Sequence, residues 1–459
     1  MRQEPSEKPR YAIVAAVQLP QVSDTEFESS LAELRDLAKT LGYTISATFT
    51  QKRASFDAGA YLGSGKREEI RAFVDSEPLP GSFEPGRHAA ADPEAGRIEA
   101  VLVDHEISPS QARNLEKEVG AEVMDRTMVI LEIFHRHASS RAARAQVEIA
   151  RLGYMAPRLR EMAKLAGPQG RQRSGTGGRG AGESHTEMDR RKIRDRIAEL
   201  QQEIEAMDVE RKTQRARRQE RQGLATVALV GYTNAGKSTL MRALTGSDVL
   251  VENKLFATLD TTVRALQPES RPRVLVSDTV GFIKNLPHGL VASFKTTLEE
   301  ALDAALLLHV IDASDPGCER QREVTEKVLA EISAQDVPRL RIFNKIDNVE
   351  PQGDAAAQAA QAAREAELRA AHPDCIVMSA RRGDDVARLR EAIIAFFRQD
   401  QAEAEIFLPW SAQQHRGRIF ASCEVLAERA DEAGAILRLR GDRATVVALA
   451  AEFAPPAAG

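Results

Sequence analysis

The N-terminal third of the chain alternates between strand-like and helix-like patterns of hydrophobic positions. Short apolar runs predict strands, and longer stretches with apolar residues every three or four positions predict helices. The predicted strands cover 11–19, 42–50, 98–104 and 122–125, and the predicted helices cover 24–41, 66–75 and 108–119. This alternation is typical of an α/β domain with a mostly parallel sheet.

The pattern becomes helical from Thr127 to Met162, and a second helical pattern follows a glycine-rich stretch. Apolar residues in the second pattern recur at spacings of four, three, four and three, at Ile193, Ile197, Leu200, Ile204 and Met207. Such spacing places them on one helix face and favours packing against the preceding helix. We therefore predict a hairpin of two antiparallel helices.

The tip of this hairpin is basic and rich in glycine. Seven glycines lie between Gly167 and Gly182, together with Arg171, Arg173 and Arg179. From Arg151 to Gln222 the chain carries 18 Lys+Arg against 11 Asp+Glu, a local charge of +7 in a protein of net charge −5. A basic segment on an acidic protein indicates contact with phosphates, and a solvated helix face is the alternative.

The rest of the chain repeats the α/β pattern twice. We predict an N-terminal α/β domain (1–138), a helical hairpin (139–222, with its loop at 167–185), a second α/β domain with a mostly parallel sheet (223–400) and a small C-terminal α/β domain (401–459). No apolar run approaches the length of a membrane span. Three widely separated cysteines predict no disulfide framework, so we expect a cytoplasmic protein, with peripheral membrane association left open. Nothing in the sequence demands a dimer, so we expect a monomer.

One glycine-rich motif predicts phosphate binding. The sequence GYTNAGKS at 231–238 matches G-x-x-x-x-G-K-[ST] between a predicted strand and a predicted helix. Its backbone N–H groups and helix N-terminus suit phosphate oxygens. Lys237 is predicted to reach the β and γ phosphates, and the Ser238 hydroxyl is predicted to hold Mg²⁺.

Three further motifs follow strands in the order expected of a GTPase. Asp278 begins DTVG, where it suits Mg²⁺ through water and where the Gly281 N–H suits the γ-phosphate. Asp347 ends NKID and can accept both N1–H and N2–H₂ of guanine, which adenine does not offer. Ser379 and Ala380 complete the base pocket. In the segment 256–262, the residue patterns alone leave open which threonine closes over Mg²⁺.

The order and spelling of the motifs resemble the HflX family of GTPases, within the Obg–HflX group of translational GTPases. The resemblance covers nearly the whole chain, and rests on GYTNAGKSTL, FATLD, DTVGFI, NKID and MSAR. Upstream it rests on AYLGSGKREEI, DRTMVILEIFHRHA, RAQVEIARLGYMAPRL and GTGGRGAGESHTEMDRR, which are not general GTPase motifs.

The resemblance implies that Thr258 is the Mg²⁺ ligand of the first switch. It also implies a ribosome-associated GTPase that binds the large ribosomal subunit through its N-terminal region and hairpin, and that splits or rescues stalled ribosomes under stress. Arg171, Arg173 and Arg179 are then expected to contact rRNA. A GTPase of rRNA or tRNA maturation and a regulatory GTP switch for a protein partner are the alternatives.

Phe282 stands where many GTPases place a glutamine that orients water, so slow intrinsic hydrolysis is expected. The ribosome, or a K⁺ ion bound beside Asn234, would compensate for the missing glutamine.

The predicted catalytic residues are Lys237, Thr258 and Gly281. The predicted GTP-contacting residues are Gly231, Tyr232, Thr233, Asn234, Ala235, Gly236, Lys237, Ser238, Thr239, Phe256, Ala257, Thr258, Leu259, Asp260, Asp278, Thr279, Val280, Gly281, Asn344, Lys345, Ile346, Asp347, Ser379, Ala380 and Arg381.

Overall fold

The computed structural model describes residues 10–76, 97–165, 185–222, 225–246, 255–256, 258–259, 261–284, 300–349, 355–399 and 401–454. The chain divides into two units. The first comprises Met1–Asp208, Glu252–Asp260 and Ile283–Thr296, and the second comprises Val209–Val251, Thr261–Phe282 and Thr297–Gly459.

The first unit contains a four-stranded parallel sheet and six helices among its described residues. The strands are β1 (Arg10–Gln18), β2 (Tyr43–Lys52), β3 (Ile98–Val103) and β4 (Glu122–Asp125), in the order β2-β1-β3-β4. The helices are α1 (Asp24–Thr40), α2 (Ser64–Val74), α3 (Pro109–Val119), α4 (Arg126–His137), α5 (Arg141–Leu165) and α6 (His185–Gln222), the last of which extends beyond the unit boundary. Since β1 is buried on both faces, its run of apolar residues is the pattern expected of a central parallel strand.

The long helical pattern after Thr127 is two helices, not one. The Ser140 hydroxyl accepts a 3.1 Å hydrogen bond from the Ala143 N–H and so begins α5. Asp125 joins both helices to the sheet. One of its oxygens accepts from the Met128 N–H at the start of α4, and the other forms a 2.8 Å ion pair with Arg158 of α5.

Helices α5 and α6 form the predicted antiparallel hairpin. Arg141 pairs with Glu203, and Arg196 pairs with Glu148, so residue numbers rise along one helix while they fall along the other. Leu200, in the middle of the predicted apolar face, is 2% exposed. The hairpin tip at 167–182, with Arg171, Arg173 and Arg179, lies outside the described residues.

The second unit contains a six-stranded sheet in the order β10-β9-β8-β5-β7-β6. All neighbouring strands are parallel except β6 and β7. The strands are β5 (Ala225–Gly231), β6 (Thr262–Ala265), β7 (Val274–Asp278), β8 (Leu306–Asp312), β9 (Arg339–Asn344) and β10 (Cys375–Val377). Among the described residues of this unit, the α-helices are α7 (Lys237–Thr245), α8 (Cys318–Glu331), α9 (Ala355–Ala371) and α10 (Gly383–Arg398).

A small antiparallel sheet follows, formed by β11 (Gln401–Pro409), β12 (Glu424–Ala430) and β13 (Gly434–Asp442) in the order β11-β13-β12. It carries the helices α11 (Arg416–Ser422) and α12 (Arg443–Glu452). The sequence pattern did not predict β12, because its residues EVLAERA are mostly good helix formers. Pairing with β13 overrides that local preference.

The predicted fold class, α/β with mostly parallel sheets, a helical hairpin and a small C-terminal α/β part, is confirmed. The bounds of the four predicted domains remain a prediction. Across the portion of the chain that the structure describes, every helix is too short or too polar to cross a membrane.

Candidate functional site

The phosphate-binding motif forms a tight loop between β5 and α7. Gly231 ends the strand with φ +148°, and a Cβ on it would lie 2.1 Å from the Val310 carbonyl oxygen. Gly236 precedes the helix with φ +94°, and Asn234 between them has φ +59°. Because such backbone angles are strained for most side chains, the glycines of the motif are required by geometry.

Lys237 is buried at the start of α7 and turns back over this loop. Its Nζ donates to the carbonyl oxygens of Gly231 at 3.1 Å and Tyr232 at 2.9 Å. Burial lowers the pKa of the Lys237 ammonium group to about 8, and the negative charge of Asp278 acts in the opposite direction. The amine is thus poised to exchange carbonyl oxygens for more highly charged phosphate oxygens.

Ser238 and Asp278 meet beside the loop. Strands β5 and β7 are parallel neighbours in which Leu229 pairs with Asp278, so β7 ends next to the motif. The Ser238 hydroxyl donates to Oδ2 of Asp278 at 2.8 Å. A hydroxyl and a carboxylate are the oxygen ligands that Mg²⁺ prefers, so this pair fits the ion that the motif predicts.

The segment after Asp278 lies against the phosphate loop. The Thr279 hydroxyl donates to the Leu229 carbonyl at 2.6 Å. The Thr233 N–H donates to the Phe282 carbonyl at 2.7 Å, and the Phe282 N–H donates to the Gly231 carbonyl at 3.1 Å.

Gly281 approaches the loop closely. A Cβ on it would lie 2.7 Å from Cα of Thr233 and 2.9 Å from Nζ of Lys237. The Phe282 ring is 1% exposed and packs in the core with Ala228 and Val230. Phe282 therefore anchors the segment in the core, at a position where many GTPases place a glutamine that orients water.

The predicted base-binding residues converge at the ends of β9 and β10. The Asn344 amide donates from Nδ2 to the Ala235 carbonyl at 3.0 Å, and its Oδ1 accepts from the Ala380 N–H at 2.9 Å. Asn344 therefore joins the phosphate loop to the serine–alanine loop. Asp347 lies in a short 3-10 helix, 3.5 Å from the guanidinium of the exposed Arg381.

Two carboxylates at this edge were not among the predicted residues. Asp312 ends β8 and forms a 2.8 Å ion pair with Lys345, which has φ +62°. Asp385, in the first turn of α10, accepts from the Ser379 N–H at 2.9 Å. Asp312 could have been found from its place directly after the largely apolar run LLLHVI at 306–311, whereas Asp385 carries no local signal.

The remaining predicted residues lie in two groups. Thr239 is on α7, and Val280 and Ile346 are buried beside their motifs. Phe256, Thr258 and Leu259 belong to the first unit, where Phe256 and Leu259 are buried. Ala257 and Asp260 lie outside the described residues.

Three protein families match successive parts of the chain. Families described as GTP-binding GTPase N-terminal and GTP-binding GTPase Middle Region match residues 28–135 and 137–218, and a family described as 50S ribosome-binding GTPase matches residues 226–345. A curated GTPase HflX of Gluconacetobacter diazotrophicus is 52% identical over 455 residues, which cover 95% of this chain and 96% of that protein. A GTPase HflX of Caldanaerobacter subterraneus is 43% identical over 339 residues, covering 74% of this chain and 73% of that protein.

A solved structure of a GTP-binding protein from Sulfolobus solfataricus, in complex with GDP, gives a TM-score of 0.42. It is 23% identical and covers 83% of this chain and 99% of that chain. This level of similarity does not establish a shared overall arrangement.

Proposed function

Since the chain belongs to the HflX family of GTPases and hydrolyses GTP, we propose that it binds the large ribosomal subunit and splits or rescues stalled ribosomes under stress. Membership of the family and GTP hydrolysis were both predicted from the sequence, and the comparisons confirm them. The proposal concerns the residues that bind the nucleotide, the ions they hold and the partner of the basic hairpin.

The main observation in support of the nucleotide site is that Asn344 forms hydrogen bonds to both the phosphate loop and the loop that contains Ser379 and Ala380. It supports one continuous site at the carboxyl edge of a parallel sheet, where α/β proteins commonly bind ligands. Lys237 and the loop N–H groups contact the phosphates, and the Gly281 N–H contacts the γ-phosphate. Asp347 accepts from guanine, Lys345 covers the base, and the Ala380 N–H reaches its O6.

Ser238 and Thr258 would hold Mg²⁺ directly, and Asp278 would hold it through water. The 2.8 Å hydrogen bond between Ser238 and Asp278 supports the assignment of these two residues, because it places a hydroxyl and a carboxylate oxygen side by side. When bound, the ion neutralises charge on the β and γ phosphates. Asn234, at the exposed bend of the loop, is the residue beside which K⁺ would bind.

The hairpin of α5 and α6 carries exposed basic side chains that suit binding to the phosphates of rRNA. Arg190, Lys192 and Arg194 are exposed on the first turns of α6, next to the predicted glycine-rich tip. Exposed lysine and arginine side chains neutralise RNA phosphates and release counterions, so binding through them weakens with salt. Phe282 cannot orient water by hydrogen bonding, which is consistent with a GTPase that turns over slowly until a partner orders its switches.

The test is GTP turnover by the full-length protein in K⁺ buffer, with and without purified large ribosomal subunits. A variant carrying Arg190→Ser, Lys192→Ser and Arg194→Ser should lose most of the stimulation. A matched variant removes three exposed arginines of the second unit instead, Arg398→Ser, Arg429→Ser and Arg443→Ser, and should keep it. If large subunits stimulate no form of the protein, the ribosomal role is wrong, and RNA maturation or signalling to a protein becomes the better reading.

A further inference from the structure

Lys345, the lysine of the NKID motif, is fixed at both ends of its side chain. Its backbone has φ +62°, a left-handed conformation that is unfavourable for residues other than glycine. Its Nζ forms a 2.8 Å ion pair with Oδ2 of Asp312. Because the side chains of Lys345 and Asp312 are only 21% and 15% exposed, the attraction between them is screened less than that of a surface pair.

The Asp312 carboxylate is itself oriented by the turn that follows β8. Its Oδ1 accepts from the Ser314 N–H at 3.0 Å and from the Ser314 hydroxyl at 2.6 Å. Its Oδ2 is the oxygen that receives Nζ of Lys345. The two oxygens therefore have separate contacts, one within the turn and one with the base-binding motif, and the first contact restricts rotation of the carboxylate that makes the second.

The Lys345 stem extends from the base-binding motif to the phosphate loop. Lys345 directly precedes the short 3-10 helix that contains Asp347, the proposed acceptor for guanine. Further along the stem, a Cβ on Gly236 would lie 3.7 Å from Cε of Lys345, which is an ordinary van der Waals distance. The methylene groups of Lys345 therefore lie beside both loops of the candidate site, where they offer an apolar surface to an aromatic base.

We propose that Asp312 is a positioning residue for guanine binding, because its carboxylate holds the ammonium group of Lys345 and so preorganises the lysine stem as the surface that covers the base. The inference rests on the proposed role of Lys345 in covering the base. An unrestrained lysine side chain populates many rotamers, and fixing it costs up to about 2 kcal/mol. Since the ion pair fixes the stem before the nucleotide arrives, that cost does not weaken nucleotide binding.

The test measures the dissociation constants of GDP and of a non-hydrolysable GTP analogue for the purified full-length protein with Mg²⁺. Asp312→Asn keeps the shape of the side chain and an oxygen for Ser314, but it removes the charge that holds Lys345. Both constants should rise by about threefold to tenfold. The factor should be the same for both nucleotides, because they share the guanine base.

The matched control is Asp315→Asn, which removes the same charge from the same turn. The Asp315 carboxylate accepts from the Gly317 N–H at 2.7 Å and from the Gln321 amide at 2.7 Å. Since these contacts lie within the turn and the start of α8, the control should leave both dissociation constants unchanged.

A double-mutant cycle separates the positioning of Lys345 from a structural role of the turn. Lys345→Ala should raise both dissociation constants by itself. In that background Asp312→Asn has no ammonium group to release, so it should cause no further change. An equal loss of affinity with and without Lys345 would overturn the inference, since Asp312 would then act through the structure of the turn.

Unchanged constants in folded Asp312→Asn would also overturn the inference. A loss confined to the GTP analogue would overturn it as well, because Asp312 would then act on the γ-phosphate. If Asp312→Asn does not fold, Ser314→Ala decides, since it removes the 2.6 Å hydrogen bond that orients the carboxylate but leaves the charge. It should raise both constants by about twofold to threefold, and unchanged constants there would contradict the inference.

These measurements contain no ribosomes, so failure of the ribosomal proposal leaves them interpretable. Normal GDP binding by Lys345→Ala would show that the proposed role of Lys345 at the base is wrong, and the inference would fail with it. Weak binding by Lys345→Ala together with normal binding by Asp312→Asn would refute only the part assigned to Asp312.

Discussion

A methyl group on Gly236 would lie 2.3 Å from Nδ2 of Asn344, the atom that donates to the Ala235 carbonyl. The phosphate loop and the base-binding loop are therefore packed together without room for one further carbon. Gly236 also has φ +94°, which adds backbone strain to any substitution. This close approach makes Gly236 essential for two independent reasons.

Gly236→Ala should weaken GDP binding by roughly tenfold or more, because strain of about 1–3 kcal/mol falls on the loop that contacts the phosphates. Calorimetric titration of GDP measures the change. Gly383→Ala, at a position where a Cβ meets no atom within 4 Å, is the matched control and should bind normally. Equal affinity in both variants would show that Asn344 moves aside freely.

Asp347→Asn should weaken GTP binding by roughly tenfold to a hundredfold, because the amide has one neutral oxygen acceptor where the carboxylate offers two charged oxygens to N1–H and N2–H₂ of guanine. Xanthosine triphosphate has an oxygen where guanine has its 2-amino group, so the variant should bind it better than the wild type does. Competition with a fluorescent nucleotide measures both affinities. If GTP affinity survives the substitution, Asp347 does not contact the base.

GTP affinity should fall as the pH rises from about 7.5 to about 9.5. Burial lowers the pKa of Lys237 to about 8, so in the free protein its ammonium group is charged below that pH and neutral above it. Phosphates require the charged form, so affinity should drop by at most about tenfold per pH unit, and binding should take up a proton. Titrations in buffers of different ionisation enthalpy count that proton. A pH-independent affinity would show that Lys237 remains charged throughout.

His309→Leu should stabilise the protein at neutral pH. His309 is fully buried on β8, and neither ring nitrogen has a hydrogen-bond partner among the described residues. Replacing an unsatisfied buried imidazole with an apolar side chain should contribute about 1–3 kcal/mol, measured as a higher midpoint of thermal unfolding. A lower midpoint would show that the ring is satisfied in solution.

The same histidine makes stability depend on pH. Burial lowers its pKa from 6.5 to about 3, so below pH 6.5 the unfolded chain binds a proton that the folded chain does not. This protonation therefore costs the folded protein no stability above pH 6.5, and the free energy of unfolding falls progressively as the pH drops from 6.5 towards 3. At pH 5 the wild type should lose about 2 kcal/mol that His309→Leu retains.

Local sequence determined the motifs because their geometry is local. The loop between Gly231 and Ser238 needs its glycines at fixed spacing, and each of DTVG, NKID and the Ser379 loop begins where an apolar run ends. The apolar face of α6 was likewise visible, since helical periodicity is a property of consecutive residues. The serine at position 140 is also a local signal for the start of a helix, but the helical pattern runs through it without a break, so the start of α5 was not predicted.

Contacts between distant residues were decided only by the tertiary structure. The residues of β12 locally favour a helix, and they form a strand because their backbone pairs with β13 in an antiparallel sheet. Asn344 forms a hydrogen bond with Ala235, 109 positions away, and His137 forms one with Phe256, 119 positions away. Neither contact can be recognised from a pattern of neighbouring residues in the sequence. The sequence by itself therefore determined the chemistry of each motif. The tertiary structure decided which motifs touch, because only chain folding brings their side chains within hydrogen-bonding distance.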